Sequence, residues 1–594
     1  MRPQPGPGLD LTDIGLAAGA VVFGFAGVLW CGAALACLVT GRPTPTGGPL
    51  SALRALGTFG DPASVWPNPT ELPGPVPYWG ATLVVVLALI GAVVGGWVLV
   101  RRRRDRQPTN SAALRNLPGL ARPGEVAAAA GRREVIRRGA VARPSTGAHP
   151  APEEVGYRLG AIGGRDLWCS VEDSALLVGP PRMGKGLHVV IPWVLDAPGP
   201  VVATSTRPDT LAVTSHARAA RGEVSIFDPQ RLAGLPGGLA WSPVRGCETP
   251  RTALVRARGL AAGVGFGSTL SDGDFWAGQT ETALRCLLHA AALDGRRAID
   301  LYRWSLNPVL AEDAVTVLTR SSAAAEGWAD ALDAVIHTDP RTRDSVWLGV
   351  RQSLAALADP DVLAVVDPAP GNEFNPVAFL RGSGTLYLLA SAVASGSSAP
   401  LIAAFVEDIT ETARTLAARS PAGRLDPPLL LALDEIANLT PLPSLPQLMA
   451  EGGGSGITTL AVLQSLAQAR HRWGEHAADT LWDAATVKLV LGGLGKYRDL
   501  DDVARLIGEI DELVETRTHR TGDRSTSTSV RTVPVLPASA LRTLPSGTGV
   551  LLLRQARPAV IDLAPWTKRP DADRLRADQA AVEHASAHPT GGAR

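Results

Sequence analysis

Lysine is scarce in this sequence: Lys185, Lys488, Lys496 and Lys568 are the only four, and arginine supplies the rest of the 57 basic residues. The five cysteines form no CxxC pair and lie near no histidines at zinc-binding spacing, which argues against a disulfide framework or a structural zinc site. A large charge imbalance is also absent, because the net charge is +1 and by itself indicates no class of partner. A lysine inside a glycine-rich turn, as at Lys185, is therefore notable in this composition.

The charge is unevenly distributed along a chain that is too long for one hydrophobic core. Residues 1–150 hold 15 basic and 7 acidic side chains, whereas residues 151–594 hold 42 and 49. The sequence thus predicts several domains, a basic N-terminal part and a mildly acidic remainder.

Two N-terminal segments are long and apolar enough to cross a bilayer as helices, at about 14–40 and 78–100. An arginine-rich run at 101–106 follows the second segment and predicts a cytoplasmic flank by the positive-inside rule. With two spans, both termini are expected in the cytoplasm and the loop 41–77 outside. A cleaved signal peptide and nucleic-acid binding by the arginine run are weaker alternatives, since the first run is unusually long and no aromatic side chains are interleaved.

The predicted organisation has six parts along the chain. They are a membrane hairpin with its basic flank (1–106), a linker rich in Arg, Pro and Ala (107–150), the first part of a nucleotide-binding domain (151–249), an all-helical insertion (250–372), the second part of the nucleotide-binding domain (373–566) and a disordered tail (567–594).

A phosphate-binding loop is predicted at 179–186, where GPPRMGKG lies between the apolar runs 175–178 and 187–191. Backbone N–H groups at the start of a helix bind anions, and a lysine ammonium neutralises terminal phosphates. The last position is Gly186, where a Ser or Thr hydroxyl would ordinarily contact Mg²⁺. The predicted nucleotide-binding residues are Gly179, Pro180, Pro181, Arg182, Met183, Gly184, Lys185, Gly186 and Leu187.

An acid-bearing strand is predicted at 428–435, which reads PLLLALDE. Asp434 would hold Mg²⁺, directly or through water, and Glu435 would polarise the water that attacks the terminal phosphate. A further strand at 457–463 ends at Gln464, which would sense the γ-phosphate or orient water. The alternative for Gln464, an ordinary polar residue at a strand end, is equally compatible with the local sequence. The predicted catalytic residues are therefore Glu435, Asp434, Gln464 and Lys185.

Alternating strands and helical stretches predict an α/β fold with a mainly parallel sheet. The helical periodicity between about 250 and 372 predicts an all-α domain inserted into it, after the N-terminal two-helix transmembrane hairpin.

These residues resemble the VirD4/TraG/TraD family of type IV coupling proteins, the membrane-anchored ATPases of bacterial conjugation. The most specific segments are LDEIANL at 433–439 and LQSLAQ at 463–468, supported by GPPRMGKG, by IFDP at 226–229 and by KLVLGG at 488–493. Family members often carry glycine after the loop lysine, so Gly186 is compatible with a working site.

The resemblance implies a RecA-like P-loop ATPase domain that uses ATP and Mg²⁺ and assembles as a homo-hexamer. It further implies recruitment of DNA with its relaxase, as a relaxosome, and delivery to type IV secretion channel components at the inner membrane. The all-α domain would recognise the cargo.

Two departures from the family pattern stand out. Arginines common just before the Gly-Ile at 456–457 are missing, which leaves Arg470, Arg472 and Arg498 as candidates for action on a neighbouring subunit. The loop 205–209 reads STRPD where relatives often read DxKGE, so its role stays open.

Two alternative functions remain at this stage. A chromosome pump of the FtsK/HerA kind fits the loop but less well the LDEIANL and LQSLAQ segments. A recruitment receptor for secreted proteins, without DNA pumping, fits the acidic balance of 151–594, because DNA-binding grooves gather positive charge.

Overall fold

The computed structural model describes residues 11–104, 111–235, 238–264, 273–369, 373–390, 398–439, 441–520 and 523–588. The chain divides into two compact units, Met1–Gln107 and Pro108–Arg594.

In the described part of the first unit, two helices are long and apolar enough to cross a membrane, Leu11–Val39 and Pro75–Arg104. They approach each other closely where Gly32 meets Thr82, since a Cβ on Gly32 would lie 2.8 Å from the threonine Cα. A short helix, Pro49–Ala52, lies in the connecting segment. Many apolar side chains of the second helix are exposed, as lipid contact would require.

The main sheet of the second unit contains β1 (Gly156–Ile162), β2 (Arg165–Ser170), β3 (Ala175–Val178), β4 (Val201–Ser205), β5 (Val224–Phe227), β6 (Thr385–Leu389), β7 (Leu429–Leu433), β8 (Ile457–Leu463), β9 (Val487–Leu491), β12 (Thr548–Leu553) and β13 (Ala559–Asp562). Within the described residues these 11 strands lie in the order β2-β1-β13-β12-β9-β3-β8-β7-β4-β6-β5. Neighbouring strands from β9 to β5 are parallel, and those from β9 to β2 are antiparallel. A separate antiparallel hairpin joins β10 (Glu509–Arg520) to β11 (Asp523–Pro534).

Short apolar runs form the parallel strands because both faces of this part of the sheet are buried. Along β7, Leu429, Leu431 and Leu433 belong to one hydrophobic core, whereas Leu430 and Ala432 belong to the core on the opposite face. The two cores hold the carboxyl ends of the parallel strands at one edge of the sheet.

The inserted helices lie between β5 and β6 and share the first of these cores. They are Pro250–Val264, Gly273–Leu293, Ala298–Leu306, Glu312–Arg320, Trp328–Ile336, Pro340–Ser353 and Pro360–Val366. The other helices are Ser111–Arg115, Pro123–Ala130, Arg132–Ala142, Pro152–Val155, Ile191–Asp196, Asp209–Ala219, Pro376–Arg381, Ala399–Ala418, Ile436–Leu439, Leu445–Glu451, Leu466–Trp473, Glu475–Ala484, Tyr497–Ile507, Ala538–Arg542 and Ala572–Ala587.

The strand order places one strand, β8, between the loop-bearing strand β3 and the acid-bearing strand β7. This is the arrangement of a RecA-like P-loop sheet. The predicted fold class is confirmed: an α/β RecA-like domain with a mainly parallel sheet, an inserted all-α domain and an N-terminal two-helix hairpin. The residue boundaries of the predicted domains stay predictions.

The structure differs from the predicted linker over the described part of 107–150. Helices Pro123–Ala130 and Arg132–Ala142 bury Val126, Ala130 and Val135 against the antiparallel part of the second unit. Leu114 and Leu120 also reach the main core. These alanine- and arginine-rich helices show weak hydrophobic periodicity, so only packing against the sheet distinguishes them from a linker.

The structure also differs from the prediction of a disordered tail at 567–594. Residues Ala572–Ala587 form a helix that packs on Asp209–Ala219, with Leu575 buried against Val213. Arg569 is paired with Asp196 at 2.8 Å and helps to hold the segment. Alanine and polar residues dominate this helix, so its few buried apolar side chains do not produce a recognisable helical pattern in the sequence. Residues 589–594 lie outside the described part of the chain.

The buried guanidinium of Arg218 holds three segments of the second unit together: its own helix, residues 197–199 and residues 383–385. Arg218 is fully buried and donates hydrogen bonds to Thr385 Oγ1 at 2.7 Å and to the backbone oxygens of Ala197, Gly199 and Ser383 at 2.7 to 3.0 Å. Burial lowers the pKa of Arg218 to about 10, so the group stays charged at neutral pH.

We expect Arg218→Met to destabilise the second unit by about 3 kcal/mol, because the backbone oxygens of Gly199 and Ser383 lose this donor. A lower midpoint of thermal unfolding, followed by circular dichroism, would measure this effect. Arg221→Met is the matched control: Arg221 is exposed and donates to the Ala197 oxygen at 2.8 Å, but Arg218 still contacts that oxygen in this variant, so a change of below about 1 kcal/mol is expected. Equal midpoints for the two variants would contradict the assignment.

Candidate nucleotide site

The predicted phosphate loop joins β3 to a helix, and its glycines meet specific steric demands. Gly184 has φ +81°, and a Cβ there would lie 2.6 Å from His188 Cδ2. Arg182 also has a left-handed backbone, with φ 66°. The helix starts with a π-turn, Gly186–Val190, and π-turns are frequent at functional sites. The loop therefore has the backbone of a strand–turn–helix anion site.

Lys185 is buried within this loop and is only 7% exposed. Its Nζ donates to the backbone oxygens of Gly179 at 2.9 Å and Pro180 at 3.2 Å. Burial lowers the pKa of the Lys185 ammonium, and the carboxylates of Asp434 and Glu435 oppose this shift. The lysine is thus held at the loop within the electrostatic field of both acids.

Asp434 follows the last residue of β7, is half-buried and lines the same cleft as the loop. Burial and the neighbouring charge of Glu435 raise the pKa of Asp434 to about 6, against the opposing effect of Lys185. Its Oδ1 atom is buried and has no hydrogen-bond partner among the described residues. A buried carboxylate oxygen without a donor is costly unless a cation or water occupies its free side.

Glu435 stands on a left-handed backbone with φ 51°, unusual for a residue with a side chain. Thr206 Oγ1 donates to its Oε2 at 3.0 Å, and Gln464 Nε2 donates to its Oε1 at 3.1 Å. Both carboxylate oxygens therefore accept hydrogen bonds from residues that directly follow β4 and β8, the two strands that flank β7.

The LDEIANL and LQSLAQ segments form one hydrogen-bonded unit. Gln468 Nε2 donates to Asn438 Oδ1, and the Gln464 backbone N–H donates to Gln468 Oε1 at 3.4 Å. Ser465 caps the following helix by accepting from the Gln468 backbone N–H. Since β7 and β8 are parallel neighbours, residues after their carboxyl ends meet directly.

A cleft of about 650 Å³ brings most of the predicted site residues together. The predicted residues that line it are Pro181, Arg182, Gly184, Lys185, Gly186, Leu187, Asp434, Glu435 and Gln464. Gly179, Pro180 and Met183 do not line it: the first two present their carbonyl oxygens to Lys185, and Met183 packs near Gly493.

Other cleft residues were missed by the sequence analysis. They are Ile191, Ser205, Thr206, Arg207, Asp209, Thr210, Val213, Trp566 and Gln579. Residues 205–209 could have been found from the rule that carboxyl ends of neighbouring parallel strands meet, since they follow a recognisable strand. No local signal brings Trp566 or Gln579 to this cleft.

The three candidate arginines differ in their ion pairs and in their exposure to solvent. Arg470 is paired with Asp499 at 2.9 Å and with Asp502 at 3.3 Å, and its side chain is 15% exposed. Arg498 is exposed and lies 3.4 Å from Glu475, and Arg472 is also exposed. The choice among them stays a prediction, because it depends on a second subunit.

Comparison with known proteins gives one family match, over residues 428–546, to the family described as the TraM recognition site of TraD and TraG. No curated protein matches the chain.

Several solved structures are similar to the chain at low identity. The unbound bacterial conjugative coupling protein TrwBΔN70 is 17% identical, with a TM-score of 0.49 over 74% of this chain and 93% of that one. TrwB with the ATP analogue ADPNP is 18% identical, with a TM-score of 0.47 over 70% and 88%. VirB4 of Thermoanaerobacter pseudethanolicus is 11% identical, with a TM-score of 0.39 over 70% and 98%. The fold assignment rests on the strand order and not on these matches.

The matched segment contains the acid-bearing strand, Gln464 and the LQSLAQ helix start, which are the residues that carry the resemblance. Residues 428–546 are similar to the TraM recognition site of TraD and TraG, and over this segment the predicted resemblance to the VirD4/TraG/TraD coupling proteins is confirmed.

Proposed function

We propose that this chain is a membrane-anchored, ATP-hydrolysing coupling protein. It recruits DNA with its attached relaxase, or a protein substrate, and drives that cargo to a type IV secretion channel. The observation that carries the proposal is the single cleft lined by Lys185, Asp434, Glu435 and Gln464. An anion-binding loop facing two carboxylates and an amide suits phosphoryl transfer to water.

The loop residues 179–187 would cradle the phosphates of ATP through their backbone N–H groups. Lys185 would exchange its present backbone acceptors for phosphate oxygens, which are stronger, charged acceptors. Glu435 would accept a hydrogen bond from the attacking water and polarise it, and Gln464 would orient this carboxylate and sense the terminal phosphate.

Asp434 fits a role as a magnesium ligand, directly or through water. Its Oδ1 has no partner among the described residues, and burial together with the charge of Glu435 raises its pKa, an effect that a nearby cation would oppose. Mg²⁺ supplies charge neutralisation on the phosphate oxygens when bound. The carboxylate of Asp434 and the oxygens of the nucleotide would hold it.

Gly186 offers a direct test of this assignment. A Cβ added there would meet no atom within 4 Å among the described residues, so the site has room for a side chain. We expect Gly186→Ser to lower severalfold the Mg²⁺ concentration needed for half-maximal binding of a fluorescent ATP analogue, because the hydroxyl adds an oxygen ligand.

Gly186→Ala is the matched control, since it fills the same space without an oxygen, and it should leave the Mg²⁺ dependence of binding unchanged. An identical Mg²⁺ dependence in the serine and alanine variants would show that this position does not face the metal.

The two apolar N-terminal helices are compatible with anchoring in the membrane. We propose the inner membrane, with both termini and the ATPase domain in the cytoplasm, because the arginine run follows the second helix. A homo-hexamer would bring one of Arg470, Arg472 and Arg498 to the nucleotide of a neighbouring subunit.

The test of the proposed function uses the full chain in detergent or nanodiscs. ATP hydrolysis is measured with no DNA and with saturating single- or double-stranded DNA. Hydrolysis that DNA stimulates would support a pump, and no hydrolysis under any condition would contradict the ATPase assignment.

A second candidate, the recruitment receptor, is favoured by the excess of acidic over basic residues in 151–594. Its signature in the same assay is hydrolysis that no DNA stimulates, together with binding of a protein cargo. A chromosome pump of the FtsK/HerA kind is a third reading, distinguished by activity on DNA without a relaxase.

A further inference from the structure

Residues 205–209 connect the end of β4 to the start of the helix Asp209–Ala219, and the proposed function gives them no role. Their sequence departs from the pattern of the resembling family, yet Ser205, Thr206, Arg207 and Asp209 line the nucleotide cleft. Thr206 is half-buried there, and its hydroxyl is the group of this loop that contacts Glu435.

The contacts around Glu435 come from both sides of its strand. β7 lies between β4 and β8 in the sheet. Thr206, which follows β4, donates to Oε2, and Gln464, which follows β8, donates to Oε1. A carboxylate with one hydrogen bond can still rotate about its terminal torsion, whereas two donors on opposite oxygens define its plane.

The backbone beneath Glu435 is held by the same strand. Thr204 Oγ1 donates to the backbone oxygen of Asp434 at 3.2 Å. The left-handed φ of Glu435 is an unfavourable backbone conformation for a residue with a side chain, and such conformations persist where surrounding contacts enforce them. Two threonines of one segment thus fix the turn and the side chain that extends from it.

The chemistry of the donor matters as much as its position. A hydroxyl orients a carboxylate without neutralising its charge, whereas a lysine or arginine would form an ion pair and weaken its basicity. A neutral donor therefore leaves Glu435 able to polarise water.

We propose that Thr206 is a positioning residue that, with Gln464, orients the Glu435 carboxylate toward the attacking water. The inference rests on the proposed ATP hydrolysis and assigns the loop 205–209 to the catalytic site. It predicts that the Thr206 hydroxyl contributes to the rate of the chemical step and not to nucleotide affinity.

The test compares Thr206→Val, Thr206→Ser and the wild type in the full chain. Valine is close to threonine in shape but lacks the donor, so we expect kcat to fall at least about tenfold with KM and nucleotide affinity unchanged. Serine retains the hydroxyl and should restore most of kcat. Thr316→Val is the matched control, because that exposed hydroxyl bonds only to its own helix in the described structure, and its kcat should equal the wild-type value.

A double variant separates positioning from a general loss of structure. In a Glu435→Gln background, Thr206→Val should cause little further loss of kcat, because the carboxylate it orients is gone. If Thr206→Val fails to fold, Thr206→Ala in the same pairing gives the same comparison.

The outcomes distinguish this inference from the proposed function. A wild-type chain that hydrolyses no ATP overturns both. Wild-type hydrolysis with an unchanged or increased kcat in Thr206→Val overturns the inference alone, as does a loss confined to KM. Full additivity of the two substitutions would also overturn it.

Discussion

Replacement of Glu435 by Gln is expected to lower kcat for ATP hydrolysis by about 10³-fold while leaving nucleotide binding nearly unchanged. The amide keeps the size of the side chain but removes the charged acceptor that would polarise water, and positioned general bases contribute about 10² to 10⁴ in rate. Lys185 and the loop that would bind the phosphates are untouched by this change. Single-turnover hydrolysis and binding of a fluorescent ATP analogue measure the two quantities separately.

The matched control is Glu451→Gln, which makes the same chemical change at an exposed glutamate outside the cleft. Its kcat should equal that of the wild type. Undiminished hydrolysis by Glu435→Gln would remove this residue from the catalytic role and leave the carboxylate of Asp434 as the remaining acid at the strand end.

Replacement of Lys185 by Ala is expected to abolish measurable turnover and to weaken nucleotide binding by about 10- to 100-fold. The ammonium would make charge-assisted hydrogen bonds to the terminal phosphates, each with a contribution of about 1.5 to 3 kcal/mol. Charge also develops on the transferred phosphoryl group, so the loss of the lysine reduces kcat beyond its effect on affinity. Titration with an ATP analogue and steady-state hydrolysis assays measure the two losses.

Lys496→Ala is the control for this substitution, because Lys496 is exposed and lies outside the cleft lining. It should bind and hydrolyse ATP as the wild type does. The two cleft variants differ in their pattern, since the glutamate variant loses catalysis alone and the lysine variant loses both properties. Equal affinity in Lys185→Ala and the wild type would contradict contact between this lysine and the phosphates.

The features that sequence analysis predicted well are contiguous in the chain. The loop 179–186 is recognisable because the turn, the lysine and the helix start occupy neighbouring positions. The acid-bearing strand is recognisable because a buried parallel strand is an unbroken apolar run that ends in acids. The membrane-length segments are visible for a similar reason, since a bilayer demands about 20 consecutive apolar residues.

The contacts of Glu435 could not be predicted from the sequence, because they join residues that are far apart in the chain. Thr206 and Gln464 lie 229 and 29 residues from Glu435 in the chain and meet it because β4 and β8 flank β7. The sequence analysis left the loop around Thr206 without a role. The hydrogen bond between Gln468 and Asn438 likewise explains why both residues occur in the family-like segments, which the sequence alone does not reveal.

The sequence did not predict the helices at 111–142 and 572–587, and the reason is different. Their alanine- and arginine-rich sequences bury few large apolar side chains, so helix periodicity is weak and packing against the sheet stabilises them. Trp566 and Gln579 reach the cleft through this packing. Composition alone favours a linker and a tail at these places.

By itself, the sequence determined the chemical groups of the site, the class of sheet that carries them and the two membrane-length segments, because each depends on short-range spacing or on consecutive apolar residues. Only the tertiary structure decided which side chains orient Glu435, which loop completes the cleft and where the terminal helix packs. Those features depend on the order of strands in the sheet, and strand order is a property of long-range pairing that no local pattern encodes.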